Sequence, residues 1–374
     1  MIAQPLVFEP LARFDANGGL VPVVASRIEA VSQHGIRVWL RKDRTFSDGT
    51  PLTDDDVIDS FANKARIARD RDALFIESLD PGTPIEILLT SVLIHRGSGA
   101  GALGTGAFVV VAASGPEMRL ARRQPAERKV NEVRLVPYAT LKEAFAHTLK
   151  GDANLLVEVD PRWLEFFRDV PTLQLVRSPG DTTAAVVFNM KLPRAERKAM
   201  AALLETDEVR NAAYGAGECA EMPSGAKHVH VPPGPRLGIL TWGPLERLGR
   251  VVRRTLGPRA GEHVHLSPAE VLARMRSREF DLLALRSVSW PPAMMSLIWH
   301  SGARDNPNGY SNPALDRALD AHQWAAVRAA LREDPPAAFI CTHDRLALMD
   351  ARIRNPASGS GNLMETLPAS EISE

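Results

Sequence analysis

The sequence predicts an α/β protein built from two lobes, and three observations support this prediction. The chain has 374 residues, which is too long for one small core and suggests two domains. Residues 237–285 alternate strand and helix patterns, which is typical of a parallel α/β lobe. Hydrophobic residues make up 45% of the chain and charged residues 24%, which are values of globular proteins.

The N-terminal region predicts a strand pair followed by a turn and a helix. Alternating patterns indicate strands around residues 27–29 and 37–40. Gly49 tolerates the positive φ of a tight turn, and Thr53 is placed to cap a helix whose first turn holds three aspartates. The apolar run at residues 85–94 fits a strand or a short helix, because periodicity cannot distinguish them over so few residues.

The rest of the chain continues the α/β pattern. A hairpin is expected at residues 108–121 and a helix at 141–150, closed by Gly151. Further strands are expected at 155–159, 173–177, 184–189, 237–242, 262–266 and 280–285. Further helices are expected at 161–168, 193–204, 244–256 and 268–277. Residues 220–236, which are rich in proline, are interpreted as a linker or loop.

Residues 41–57, RKDRTFSDGTPLTDDDV, carry a family resemblance. This stretch resembles the signature of the family 5 solute-binding proteins, the peptide, dipeptide and nickel receptors of ABC importers. Further blocks of the chain resemble the family in the same order: residues 8–25, 104–108, 133–145, 186–189 and 306–316. The resemblance covers roughly residues 6–355.

The resemblance implies a bilobal, periplasmic-binding-protein-like type II fold with an interlobe cleft. Lobe I would comprise residues 1–190 and about 345–374, and lobe II would be the inserted segment 191–344. Asn189 would lie near the hinge. The segment between Phe61 and Gly104 is shorter than is usual in the family, so the extra domain inserted there would be reduced or absent.

The resemblance also implies a ligand site. Six residues are candidate ligand contacts: Trp290, Arg286, Ser287, Asn189, Met294 and Tyr310. In peptide-binding relatives, an acid in the loop that here comprises residues 286–295 pairs with the α-ammonium group of the peptide. That acid is absent here, which weakens the case for a free peptide N-terminus. Trp290 and Met294 would offer an apolar, adaptable surface instead.

The leading hypothesis is a non-enzymatic receptor for a peptide-like or other small solute, working as a monomer with ABC permease subunits. Alternatives are a cytoplasmic derivative that acts as a ligand sensor or a biosynthetic accessory protein, or an enzyme on this fold. No nucleophile–base pair or metal spacing stands out, so no cofactor is expected. Lysine plus arginine equals aspartate plus glutamate at 45 each, which argues against nucleic acid as a partner.

The expected location outside the cytoplasm follows from the family resemblance alone. The first residues lack the pattern of a signal peptide, so a cytoplasmic location is the alternative.

Cys219 and Cys341 could pair only if the fold brought their Cα atoms within about 7 Å, and they are interpreted as ordinary unpaired residues. Alternating histidines at 263 and 265 would share one face of a strand, as would those at 228 and 230.

Overall fold

A computed structural model describes most of the chain. The described residues are 3–15, 18–31, 35–80, 82–115, 117–157, 159, 161–167, 169–219, 233–288, 292–303, 306–354 and 363–373. The predicted linker at 220–236 therefore lies largely outside the described residues, and so do the histidines at 228 and 230. Both strands and helices occur throughout the described part, as expected of an α/β chain.

The strands, numbered in chain order, are β1 (Glu9–Pro10), β2 (Ala12–Phe14), β3 (Leu20–Pro22), β4 (Ala25–Ala30), β5 (Gly35–Leu40), β6 (Ala65–Asp70), β7 (Ala73–Ser78), β8 (Leu93–Arg96), β9 (Leu103–Gly104), β10 (Phe108–Ser114), β11 (Glu117–Arg122), β12 (Glu132–Leu135), β13 (Leu155–Leu156), β14 (Leu173–Phe188), β15 (Leu237–Trp242), β16 (Ala260–Leu266), β17 (Leu282–Val288), β18 (Ala337–Asp350), β19 (Ile353–Arg354) and β20 (Glu371–Ile372).

The α-helices are α1 (Gln4–Val7), α2 (Asp54–Ser60), α3 (Ile85–Ser91), α4 (Leu141–Lys150), α5 (Arg194–Leu204), α6 (Asp207–Tyr214), α7 (Glu246–Leu256), α8 (Pro268–Ser277), α9 (Ser296–Trp299), α10 (Pro313–Asp320), α11 (Trp324–Glu333) and α12 (Leu363–Thr366). Short 3₁₀ turns occur at Gly99–Gly101, Pro161–Phe166, Gly243–Leu245, Gly257–Arg259, Pro292–Met295 and Leu367–Ala369.

The chain divides into two compact units. Unit 1 comprises Met1–Leu79, Ile85–Pro179 and Arg345–Glu374, and unit 2 comprises Asp80–Pro84 and Gly180–Asp344. Two of the divisions fall inside the long strands β14 and β18. The sequence had suggested a division at residue 190, which lies within unit 2.

Unit 1 is built from small antiparallel sheets. The main sheet has the strand order β4-β5-β7-β6, and its buried face packs on α2 and α3 around residues such as Val38, Phe61 and Ile76. A meander β10-β11-β12 covers a second cluster together with α1 and α12. The hairpin predicted at residues 108–121 is confirmed, with Ser114 opposite Glu117 at its turn. The ambiguous run at 85–94 forms α3 and then β8.

The turn in the signature segment has the conformation that the sequence predicted. Gly49 has φ = +86°, and a Cβ atom added there would meet nothing within 4 Å. The Asp48 carboxylate accepts hydrogen bonds from the Thr50 amide at 2.9 Å and from the Thr50 hydroxyl at 2.6 Å. Glycine is therefore needed here because the backbone has a positive φ, and not because a larger side chain would lack room.

The helix after this turn is anchored by an aspartate–arginine pair. Thr53 is the N-cap of α2, as predicted, and its amide and hydroxyl both donate to Asp56 Oδ2. Arg96 donates two hydrogen bonds of 2.7 Å to the same carboxylate, and its guanidinium lies over the Phe46 ring. Burial raises the pKa of Asp56, but the hydrogen bonds from Arg96 and Thr53 outweigh burial and lower it. The signature segment thus stabilises unit 1.

Unit 2 is a layered α/β unit. Its strand order is β18-β14-β17-β15-β16, in which β17, β15 and β16 are parallel and β14 is antiparallel to β17. Helices α5, α6 and α7 pack on one face of this sheet around Val186, Phe188 and Leu248. Helices α8 to α11 pack on the other face around Val187, Leu283 and Leu315. The parallel α/β organisation predicted for residues 237–285 is confirmed.

Two predicted elements differ from those in the structure. Residues 173–177 and 184–189 were expected to be separate strands, because Ser-Pro-Gly-Asp at 178–181 has turn composition; instead β14 is one continuous strand. The helix expected at 161–168 is a 3₁₀ turn at Pro161–Phe166. The helix expected at 141–150 is confirmed, since Thr140 caps its start and Gly151, with φ = +82°, ends it.

Candidate functional site

The end of β17 in unit 2 carries two of the predicted contacts, Arg286 and Ser287. In the antiparallel pairing with β14, Arg286 lies opposite Ala184 and Ser287 lies opposite Thr183. Because successive side chains on a strand point to opposite faces, these two side chains lie on different faces of the sheet. Arg286 is on the face covered by α5, α6 and α7, and Ser287 is on the face covered by α8 to α11. Both are half-buried.

A row of hydroxyl groups crosses three neighbouring strands at this end of the sheet. The Thr183 hydroxyl lies 2.8 Å from the Thr342 hydroxyl of β18, and Thr183 is also the cross-strand neighbour of Ser287. Farther along β14 and β17, the pairs on this face are apolar, such as Ala185 with Leu285. A hydroxyl donates one hydrogen bond and accepts two, so the Thr183–Thr342 pair leaves accepting capacity unused. We call Thr183, Ser287 and Thr342 the hydroxyl row.

The segment after β17 supplies the methionines. Met294 and Met295 close the 3₁₀ turn Pro292–Met295, which leads directly into α9. Met294 is half-buried, and Met295 packs against the core beneath α9 and α10. Trp290 lies outside the described residues. The ligand contacts predicted for Trp290 and Met294 therefore stay predictions.

Asn189 occupies a supporting position at the end of β14. Its side-chain amide donates to the carbonyl groups of Phe280 at 2.6 Å and Arg278 at 3.0 Å. Its side-chain oxygen accepts from the Lys191 amide at 2.9 Å. These bonds hold the turn between α8 and β17 against the start of the α5 segment. A ligand contact by Asn189 stays a prediction, and these bonds occupy both polar ends of its side chain.

Tyr310 is similarly embedded. Its side chain is 1% exposed, and its hydroxyl donates to the Asp334 carbonyl at 2.8 Å and accepts from Asn312 Nδ2 at 3.0 Å. Burial raises the pKa of Tyr310. The neighbouring Asn308 donates to the carbonyl groups of Phe188 and Pro336. The segment that resembles the family near residue 310 therefore ties the end of β14 to the segment between α11 and β18.

A disulfide bond anchors β18 beside the hydroxyl row. Cys219 and Cys341 are bonded, with 5.1 Å between their Cα atoms, and Cys341 directly precedes Thr342. The interpretation of both cysteines as unpaired was wrong. They are separated by 122 residues along the chain, and only the packing of α6 and its following segment against β18 brings them together. The spacing in the sequence carried no signal for this pairing.

The half-buried His263 and the exposed His265 of β16 form a separate cluster around a buried threonine. His263 Nε2 lies 2.9 Å from the Thr241 hydroxyl, and His265 Nδ1 lies 3.1 Å from the same oxygen. The expectation that these two histidines share a face is confirmed. Burial lowers the pKa of His263. Thr241 is fully buried, so this hydroxyl has no access to a substrate. Among the described residues, no group of three or more His, Cys, Asp or Glu residues could hold a metal ion.

Sequence reasoning missed Thr183 and Thr342, the partners of Ser287 in the hydroxyl row. One signal was available: Thr182 and Thr183 directly precede the apolar run at residues 184–188, and both are buried. A buried hydroxyl in an apolar strand requires a polar partner. The identity of that partner could not be read, because Thr342 is 159 residues away.

Solved structures of solute-binding proteins share this fold. NikA from Staphylococcus aureus in complex with Ni(L-His)2 matches with a TM-score of 0.79 at 12% identity, over 100% of this chain and 96% of that one. The periplasmic binding protein DppA from Helicobacter pylori in complex with the peptide STSA matches with a TM-score of 0.79 at 13% identity, over 100% and 93%.

A third structure extends the comparison to longer peptides. The oligopeptide-binding protein AppA from Bacillus subtilis in complex with a nonapeptide matches with a TM-score of 0.77 at 14% identity, over 100% of this chain and 94% of that one. No protein-family model matches the sequence, and no curated protein matches it. At these identities the similarity shows the fold, and the predicted fold class, that of the periplasmic binding proteins, is confirmed.

Proposed function

We propose that this chain is a member of the family 5 solute-binding proteins that binds a peptide-like or other small solute for an ABC importer and performs no catalysis. The observation that carries the proposal is the shared fold over the whole chain with receptors that hold nickel–histidine, a tetrapeptide and a nonapeptide. The signature at residues 41–57 points to the same family.

The hydroxyl row is the proposed polar part of the solute site. Ligand sites combine apolar surface with a few placed polar groups that fix orientation, and Ser287, Thr183 and Thr342 supply such groups. The row lies at the carboxyl end of β17, which runs parallel to β15 and β16. In open parallel sheets, ligands bind outside the carboxyl ends of the strands. Met294 and Trp290 follow β17 in the chain and would add apolar contacts.

The disulfide supports a location outside the cytoplasm. Disulfides persist in oxidising compartments such as the periplasm and are rare where thiols are kept reduced. Cys341 is fully buried and paired with Cys219, and no free cysteine is present. None of the helices in the described part of the chain is long and apolar enough to cross a membrane. We propose that the protein acts as an exported monomer that delivers its solute to permease subunits.

The direct test is native mass spectrometry of the purified protein, followed by calorimetric titration with the molecule that co-purifies. Ser287→Ala and Thr183→Val remove one hydroxyl each and should weaken solute affinity about fivefold or more, the value of one lost hydrogen bond. Thr90→Val in α3 is the matched control, since the Thr90 hydroxyl bonds only within its own helix. Chemical turnover of the bound molecule, or unchanged affinity in both site variants, would contradict the proposal.

A further inference from the structure

Arginine side chains line an open cavity on unit 2, away from the proposed solute site. The cavity has a volume of about 520 Å³ and is lined by Arg236, Arg250, Arg253, Arg254, Gly257, Pro258 and Ala260. Arg236 directly precedes β15, and Ala260 begins β16. The cavity therefore lies at the amino ends of these parallel strands, whereas the hydroxyl row lies at the carboxyl end of the parallel strand β17.

The lining carries more positive charge than its carboxylate neighbours neutralise. Arg250 pairs with Glu246 one turn earlier in α7, and Arg254 reaches Glu208 only at 3.9 Å between two exposed side chains. Arg236 and Arg253 form no ion pair with any described residue. No acidic side chain lines the cavity among the described residues. The whole chain has a formal net charge of zero, so this positive charge is a local concentration.

Helix structure explains only part of this arrangement. Cations in the last turn of a helix are favoured by the helix dipole, which accounts for Arg253 and Arg254 at the end of α7. It does not account for Arg236, which comes from a different segment and faces the same cavity. Like charges at i,i+3 and i,i+4, as between Arg250 and Arg253 or Arg254, destabilise a helix. Arg259 shows the contrasting case, because it is buried and paired with Glu196.

We propose that this cavity binds phosphate groups. A guanidinium presents planar, paired donors that match phosphate oxygens, and it remains charged at all physiological pH values. Several guanidiniums around one cavity fit a ligand with two or more adjacent negative charges, such as a pyrophosphate or a phosphate ester. A bound anion would also relieve the repulsion among the arginines. The phosphate can belong to a soluble compound or to a lipid headgroup, and both present the same chemistry to the cavity.

The test uses the full chain and inorganic pyrophosphate as the probe. Calorimetric titration should detect pyrophosphate binding, and thermal unfolding should shift upwards with pyrophosphate more than with sodium chloride at the same ionic strength. Arg253→Gln and Arg254→Gln should each weaken pyrophosphate binding about tenfold, the value of a hydrogen bond to a charged group. Arg274→Gln on α8 is the matched control, because Arg274 is an exposed arginine that does not line the cavity.

Vesicles distinguish the two sources of phosphate. Binding to phosphatidylglycerol vesicles but not to phosphatidylcholine vesicles, with competition by pyrophosphate, would identify a lipid headgroup; binding of soluble pyrophosphate alone would identify a soluble compound. In chloride buffer, the variant that combines Arg250→Gln, Arg253→Gln and Arg254→Gln should unfold at a temperature close to that of the wild type, because relief of the repulsion offsets the lost Arg250–Glu246 pair and the lost dipole interactions. Unfolding at that temperature would show that lost binding is not lost folding. The proposal is overturned if chloride reproduces the pyrophosphate shift, or if that triple variant still binds pyrophosphate.

Discussion

At the scale of single residues, Gly49 provides a clean test of backbone conformation. Its φ of +86° is strained for any residue with a Cβ atom, yet the space around it is open. We expect Gly49→Ala to lower the free energy of unfolding by about 1 kcal/mol or more, and to leave solute affinity unchanged in the folded protein. Chemical denaturation and calorimetric titration measure the two effects.

Gly101 is the matched control for Gly49. It also has open space around it, but its φ is not in the left-handed region. Gly101→Ala should therefore change stability by less than about 0.5 kcal/mol, as most surface substitutions do. If Gly49→Ala lost solute binding without losing stability, the role of this turn would be ligand binding and not structural support.

Asp350 makes stability depend on pH. Hydrogen bonds from Arg352, supported by one from Asn154, lower the pKa of Asp350 to about 2 despite the opposing effect of burial. A carboxylate whose pKa is lower in the folded state stabilises the protein above its unfolded pKa, near 4. This stability is lost as the pH falls from about 4 to about 2.

Asp350→Asn should remove this contribution. We expect a loss of about 1 to 2 kcal/mol at neutral pH, since the partner Arg352 is exposed and screened by solvent. Between pH 4 and pH 2, the variant should lose less stability than the wild type in urea unfolding. Asp43→Asn, at an exposed site, is the control. Parallel pH curves for wild type and Asp350→Asn would refute the assignment.

At the scale of elements, the disulfide closes a long loop inside unit 2. Cross-linking Cys219 to Cys341 restricts the unfolded chain over a separation of 122 residues. Replacing both with alanine should lower the free energy of unfolding by about 2 to 5 kcal/mol. A reductant should lower the unfolding temperature of the wild type towards that of the variant and leave the variant unaffected. Free thiols in the denatured, unreduced wild type would show that the bond does not form.

A comparison of single helices and strands shows which features can be predicted from a sequence. Helix α4 was predicted with its observed bounds because Gly151, which ends it with a positive φ, is a local signal in the sequence. Strand β14 was divided wrongly because Pro179 and Gly180 have turn composition, while strand pairing in the sheet continues past them. Pairing partners distant in the chain leave no local signal, which is why the cystine and the hydroxyl row were not foreseen.

At the scale of the whole molecule, the signature segment and the candidate ligand contacts lie in different units of the chain. Gly49 and Asp56 of the signature segment have structural roles, and Arg96 of β8 holds the Asp56 carboxylate, so this segment builds unit 1. The candidate contacts lie instead in unit 2, where the acid that the family resemblance leads us to expect in the loop at residues 286–295 is missing. The signature segment therefore bears on the fold of unit 1, whereas the proposed solute specificity rests on residues of unit 2.

The last prediction concerns the solute and follows from that missing acid. Without a carboxylate to pair with an α-ammonium group, blocking the amino terminus of a peptide removes no strong contact. We expect free and N-acetylated tri- and tetrapeptides to bind with affinities that differ by less than about threefold, and neither to bind tightly. Trp290→Ala should weaken binding of the native solute by about 2 to 4 kcal/mol, the cost of truncating a buried aromatic anchor.

Trp290→Phe is the control for the tryptophan, since it keeps an aromatic ring while it loses the indole N–H donor and the fused pyrrole ring. It should retain most of the affinity, and all three proteins should unfold at similar temperatures, because a residue that contacts the solute contributes more to binding than to folding. Submicromolar binding of free peptides that acetylation abolishes would show that another acid holds the ammonium group. A Trp290→Ala protein that unfolds outright would place Trp290 in the core of unit 2 and remove it from the solute site.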